Sequence, residues 1–112
     1  MRTLPITVAA DADYPLPGLL TLPDGAGPFP AVLLVHGSGP QDRDEAVGPN
    51  RPFRDLAVGL ADLGVASLRY DKRTFAHGKR LADALQGRLS VEEEVIRDAL
   101  CAAALLRAEP LI

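Results

Sequence analysis

The sequence predicts an α/β fold, and three observations carry that expectation. Nine of the ten prolines lie at or before Pro52, so the first half favours short strands and turns and the second half leaves room for helix. Residues 31–35, Ala-Val-Leu-Leu-Val, are apolar without interruption, as a parallel strand buried on both faces would be. After two leading strands the patterns run strand–helix–strand–helix, the order of an α/β parallel sheet.

Residues 3–9 and 18–22 read as short strands, separated by the turn-rich stretch 11–17. A second turn cluster, Pro23-Asp24-Gly25-Ala26-Gly27-Pro28, leads into the apolar strand 31–35. Residues 37–52 then form a polar loop without periodicity. A helix follows from about Pro52 to Leu63, with Pro52 suited to its first turn and Gly64 to its end. Its predicted apolar face is Phe53, Leu56, Ala57 and Leu60. Residues 65–70 are the next strand, and a basic irregular stretch covers 71–89. Ser90-Val91-Glu92-Glu93 has the form of a capping box, in which serine and the second glutamate satisfy each other's amides. The helix it starts runs to about Ala108, with Val91, Val95, Ala99, Ala102 and Leu106 on one face and Pro110 beyond its end.

Composition narrows the function classes. At 112 residues the chain has room for one domain, and 47% apolar with 24% charged residues is ordinary for a soluble globular protein. A net charge of −3 argues against nucleic-acid binding, which needs a basic surface. One cysteine cannot form an internal disulfide. No apolar run approaches the ~20 residues of a membrane span, and residues 1–14 lack the apolar centre of a signal peptide. The expectation is a cytoplasmic protein with no membrane partner.

The chemistry is expected in the segment after the apolar strand, His36-Gly37-Ser38-Gly39-Pro40-Gln41-Asp42-Arg43-Asp44-Glu45. Ligands of open α/β sheets bind at the carboxyl ends of the strands, and a small-residue loop there can aim backbone N–H groups at an anion. Dinucleotide binding does not fit, because Asp42 stands where G-x-G-x-x-G needs its third glycine and Pro40 lacks an amide. No phosphate-binding G-x-x-x-x-G-K-[ST] occurs. His36 and His77, 41 positions apart, make no metal signature, so neither cofactor nor metal is expected.

The stretch VLLVHGSGPQDRDEAVGPNRPFRDLAVGLADLGVASLRYDKR resembles the N-terminal part of an α/β-hydrolase. It is most similar to bacterial carboxylesterases and dienelactone-hydrolase-like proteins of the serine hydrolase group. The resemblance spans residues 18–108 and rests on the strand ending in His-Gly-Ser-Gly-Pro, followed by DRDE, NRPFRDLA and LRYDKR in the family's order. It implies an oxyanion hole shaped by His36 and Gly37, with the backbone N–H of Ser38 as one donor to the tetrahedral intermediate. The second donor would follow the nucleophile. The bland alternative for Ser38 is a tight turn after a strand.

The sequence departs from the family where the nucleophile belongs. No G-x-S-x-G occurs, and Ser38, Ser67 and Ser90, the three serines, lack glycines at the required offsets. Residues 1–112 are therefore expected to be the N-terminal part of an α/β-hydrolase domain, truncated before the nucleophile elbow. The expected function is a segment of a serine hydrolase acting on carboxylic esters or related acyl bonds. It would supply the oxyanion loop and lack nucleophile, acid and histidine. The alternative is a non-catalytic remnant or split-gene product acting as a binding or assembly module.

Other residues receive structural readings. Ser38 as nucleophile would need a general base in reach; His36 is instead expected to pack and hold the loop, and His77 to be exposed. Asp42, Arg43, Asp44 and Glu45 are expected to form a charge-paired loop. Arg69, Asp71 and Arg73 are expected to brace it through ion pairs, and the remaining basic residues up to Arg88 to be solvated. Cys101 is expected to be a small packed residue. The family's sheet order would put strand 31–35 beside strand 65–70 with its other edge open, so self-association or a complementing C-terminal segment is expected. In the complete protein the partner would be a small-molecule ester.

Overall fold

The computed structural model describes residues 1–8, 15–36, 42–77 and 96–112. Strands β1 (Arg2–Val8), β2 (Leu16–Leu22) and β3 (Ala31–Leu33) precede helix α1 (Pro52–Asp62). Strand β4 (Ala66–Tyr70), the short helix α2 (Arg73–Ala76) and helix α3 (Arg97–Ala108) follow. The sheet order is β1-β2-β4-β3. It is mixed, not parallel: β1–β2 and β2–β4 are antiparallel and only β3–β4 is parallel. This corrects the parallel sheet read from the element order. Strands β1 and β2 are only seven residues apart in sequence, a separation that an antiparallel pair allows, while the parallel pair needs the α1 crossover between β3 and β4.

Strand β4 organises the layers, because all five of its residues are buried. Alternation sends Ala66, Leu68 and Tyr70 to one face, where they meet Leu20 and Leu22 of β2 and Ala102 and Leu106 of α3 in the apolar core. Ser67 and Arg69 point to the other face, which α1 covers with the small buried residues Ala57 and Ala61. The interior is thus apolar under α3 and partly polar under α1.

Local chemistry sets the helix ends. Pro52 opens α1 without a side-chain cap; the Phe53 N–H donates to the Asp44 carbonyl at 3.0 Å, which ties the helix start to the preceding loop. At the other end Gly64 adopts φ 85°. Its N–H bonds the Ala61 carbonyl while the Val65 N–H bonds that of Leu60, a Schellman motif that only a left-handed residue closes without strain. Helix α3 ends at Ala108, as expected, with Glu109 extended ahead of Pro110.

Other expectations need adjustment. Strand β2 begins at Leu16, two residues early, and β3 ends at Leu33, although the Leu34 N–H still reaches the Leu68 carbonyl at 3.0 Å. Val32 and Val35 are exposed, so the apolar run is not buried on both faces: among the described residues β3 pairs with one strand. Leu56 is exposed, and the inner face of α1 is Phe53, Ala57, Leu60 and Ala61. The inner face of α3 runs through Asp98, Ala102 and Leu106, with Asp98 only 1% exposed. Helix α2 interrupts the stretch expected to be irregular. The capping box at Ser90, the face residues Val91 and Val95, Gly37 and Ser38 lie outside the described residues.

Gly18 of β2 lies opposite Tyr70, and a Cβ there would sit 2.8 Å from the Arg69 carbonyl oxygen and 3.2 Å from the Tyr70 Cβ. Gly18→Ala is therefore expected to lower unfolding free energy by about 1–3 kcal/mol, the cost of overpacking, as measured by urea denaturation.

Candidate functional site

The site is built at the carboxyl ends of the parallel pair β3–β4, where the chain leaves Leu33 on one strand and Tyr70 on the other. His36, three residues past β3, is 6% exposed. Its ring centroid lies 5.2 Å from that of Tyr70 in a T-shaped arrangement and 5.5 Å from that of Phe53 on α1. Burial pushes its pKa below the ordinary 6.5, and the positive charge of Lys72 acts in the same direction. The Glu45 carboxylate and the backbones of Tyr70 and Asp42 act against that shift without reversing it. His36 is a packed, neutral residue at pH 7.

The loop returns to described structure at Asp42, and from there two ion pairs hold it to β4. Asp71 accepts from the Arg43 backbone N–H at 2.8 Å and from its Nε and Nη2 at 3.2 and 3.3 Å. Asp44 accepts from Arg69 Nε at 3.1 Å, and Arg69 Nη1 donates to Thr21 Oγ1 at 2.8 Å. Arg69 and Asp71, two positions apart at one strand end, thereby grip the adjacent loop residues Asp44 and Arg43. Asp42 shapes the turn itself: its carboxylate accepts from the Ala46 N–H at 2.8 Å and its carbonyl from the Glu45 N–H at 3.0 Å. Glu45 takes φ 52°, a left-handed turn conformation that these bonds hold in place. The charge-paired loop and its bracing by Arg69 and Asp71 are present; the Arg73 side chain lies outside the description.

Tyr70 links the loop to α3. Burial raises its phenol to about 12, and the Asp98 carboxylate adds to the shift. The phenol is a neutral hydrogen-bonding group at physiological pH. Lys72 and Asp98 are buried ionisable residues near this ring that sequence reading missed. A signal for Asp98 existed, since it shares the i, i+4, i+8 line of Ala102 and Leu106. His77 is half-buried rather than exposed, its Nε2 2.6 Å from the Pro15 carbonyl oxygen. Cys101 is partly buried against the core. Among the described residues no His, Cys, Asp and Glu group has the form of a metal site, and no helix is long and apolar enough to cross a membrane.

Comparison with known proteins gives a relative at this point. The chain is 53% identical to Esterase EstD of Thermotoga maritima over 92 residues. Those residues are 82% of this chain and 21% of the esterase. The chain is related to an esterase. It spans about a fifth of that relative's length, and no protein-family model matches it.

Asp71→Asn removes the charge from a carboxylate that holds Arg43 through three hydrogen bonds. The expected cost is about 2 kcal/mol, as for charged hydrogen bonds of low exposure, with faster hydrogen exchange at the Arg43 amide. An unchanged stability together with unchanged exchange would remove Asp71 from the loop's supports.

Proposed function

We propose that this chain forms the leading part of a carboxylic-ester hydrolase of the α/β-hydrolase type, with the segment after β3 lining the acyl site. The observation that carries the reading is the 53% identity to an esterase across 82% of the chain. The sheet order β1-β2-β4-β3, with a helical crossover ahead of β4, supports it. So does the double ion-pair support of the segment that follows His36.

In this reading a nucleophile attacks the ester carbonyl carbon and the carbonyl oxygen gains negative charge. The backbone N–H of Ser38 donates to that oxyanion, and His36 and Gly37 shape the turn that presents it. A fixed donor costs no reorganisation as the charge develops, which is why anchoring the flanking residues matters. Nucleophile, acid and general base come from chain outside these 112 residues, since G-x-S-x-G is absent from the sequence. The substrate is a small-molecule ester.

A chimera tests the assignment. The 92 matched residues replace their counterpart in the Thermotoga maritima esterase, and hydrolysis of p-nitrophenyl acetate is followed. Ser38→Pro, which deletes the N–H, is expected to lower kcat by about 10²–10³-fold, the value of one oxyanion donor, with little change in KM. Ser38→Ala, which keeps the N–H, is expected to stay near the parent. The reverse order of effects would make the Ser38 hydroxyl, not its amide, the reacting group.

The same reading leaves the outer edge of β3 to be covered by further sheet. An open apolar edge is a template for pairing, so the isolated chain is expected to self-associate in light scattering as concentration rises. Val32→Lys is expected to lower the observed mass. A monodisperse monomer at all concentrations would count against an edge awaiting a strand.

A further inference from the structure

We propose that the seat of His36 between Phe53 and Tyr70 is a proton-operated joint: neutral His36 fastens the end of β3 to α1 and β4, and its protonation in mild acid releases that fastening. The ion pairs Arg43–Asp71 and Arg69–Asp44 remain closed over the same range. The inference rests on the proposed esterase reading only for its consequence, an acyl site that loosens in mild acid.

Geometry carries the first half. The imidazole is buried between two aromatic rings, and its Nε2 has no hydrogen-bond partner among the described residues. Neutral imidazole can leave this nitrogen as a bare acceptor. Protonated imidazole carries N–H groups on both nitrogens, so Nε2, which has no partner in the neutral seat, becomes a buried donor.

The surroundings compensate only in part. Lys72, two residues past β4, adds positive charge, while the Tyr70 backbone favours the cation although its phenol is neutral. Phe53, from α1, contributes no charge. Asp42 and Glu45, from the loop, favour the cation, yet burial outweighs them and the pKa stays below 6.5. Asp98, from α3, acts on Tyr70. The sign follows: the unfolded chain binds the proton first as pH falls. The stabilisation from neutral His36 is complete above pH 6.5 and is lost as pH falls through the lowered folded value.

The two ion pairs depend on different protons. Asp71 and Asp44 hold guanidinium groups through hydrogen bonds in which His36 takes no part. Mild acid therefore releases one support of the site and leaves the other.

NMR on the isotope-labelled 112-residue chain tests this without any turnover measurement, so its failure leaves the esterase reading untouched. Between pH 8 and 5, the His36 imidazole is expected to titrate with a midpoint below 6.5. Its ring contacts to Phe53 and Tyr70 should vanish over the same range, while the Arg43 amide stays protected. A midpoint at or above 6.5, or ring contacts that persist in the protonated state, would overturn the proposal. Loss of the contacts together with Arg43 protection would overturn it too. Glu45→Gln leaves the aromatic seat intact and is expected to lower the midpoint further; an unmoved midpoint counts against it. His36→Gln is expected to abolish the mild-acid transition.

Discussion

A guanidinium cannot be buried without partners, and this requirement at Arg69 organises much of the molecule. Strand β4 is buried along its whole length, so period-two alternation places Arg69 inside, under α1, whenever Leu68 and Tyr70 reach the apolar core. The head group is satisfied by Thr21 on the neighbouring strand and by Asp44 from a loop far away in sequence. The polar side of the sheet therefore prescribes where the loop after β3 must return. Asp71 repeats the device with reversed sign, a buried carboxylate satisfied by Arg43.

These two pairs bear on specificity more than on gross stability. The gain from ion pairing at partly exposed partners is offset by desolvation and side-chain ordering. What the pairs supply is register: Arg43 and Asp44 cannot exchange partners without placing like charges together. The loop is held in one arrangement at the carboxyl end of the parallel pair, where a reacting group would need fixed neighbours. His36 contributes from the other side by aromatic packing, so hydrogen-bonded charge and dry ring contact support the same region by independent means.

How much was legible depends on the range of the interaction. Gly64 as the end of α1 and Ala108 as the end of α3 could be read because capping acts over a few residues. The apolar run 31–35 marked a strand, but its exposure could not be read, since Val32 is decided by whether another strand lies beside it. Leu56 looked like a core residue of α1 by periodicity. It faces out, and Phe53, Ala57 and Ala61 turn inward instead. Of the site, the position of the loop after β3 and the bracing role of Arg69 and Asp71 were foreseen from charge and order. Lys72 was not, because nothing local distinguishes its buried charge from a solvated one, and Asp98 was missed although it lies on the helical line of Ala102 and Leu106.

The sequence by itself determined the order of elements, the helix ends and the segment in which chemistry is expected, all consequences of short-range propensity and pattern. Tertiary structure decided the direction of the strands, the partners of Arg69 and Asp71 and the aromatic seat of His36. The partners of Arg69 and Asp71 alone lie 25 to 48 positions away. The energy of such a contact is set by burial and geometry that exist only once the sheet has closed.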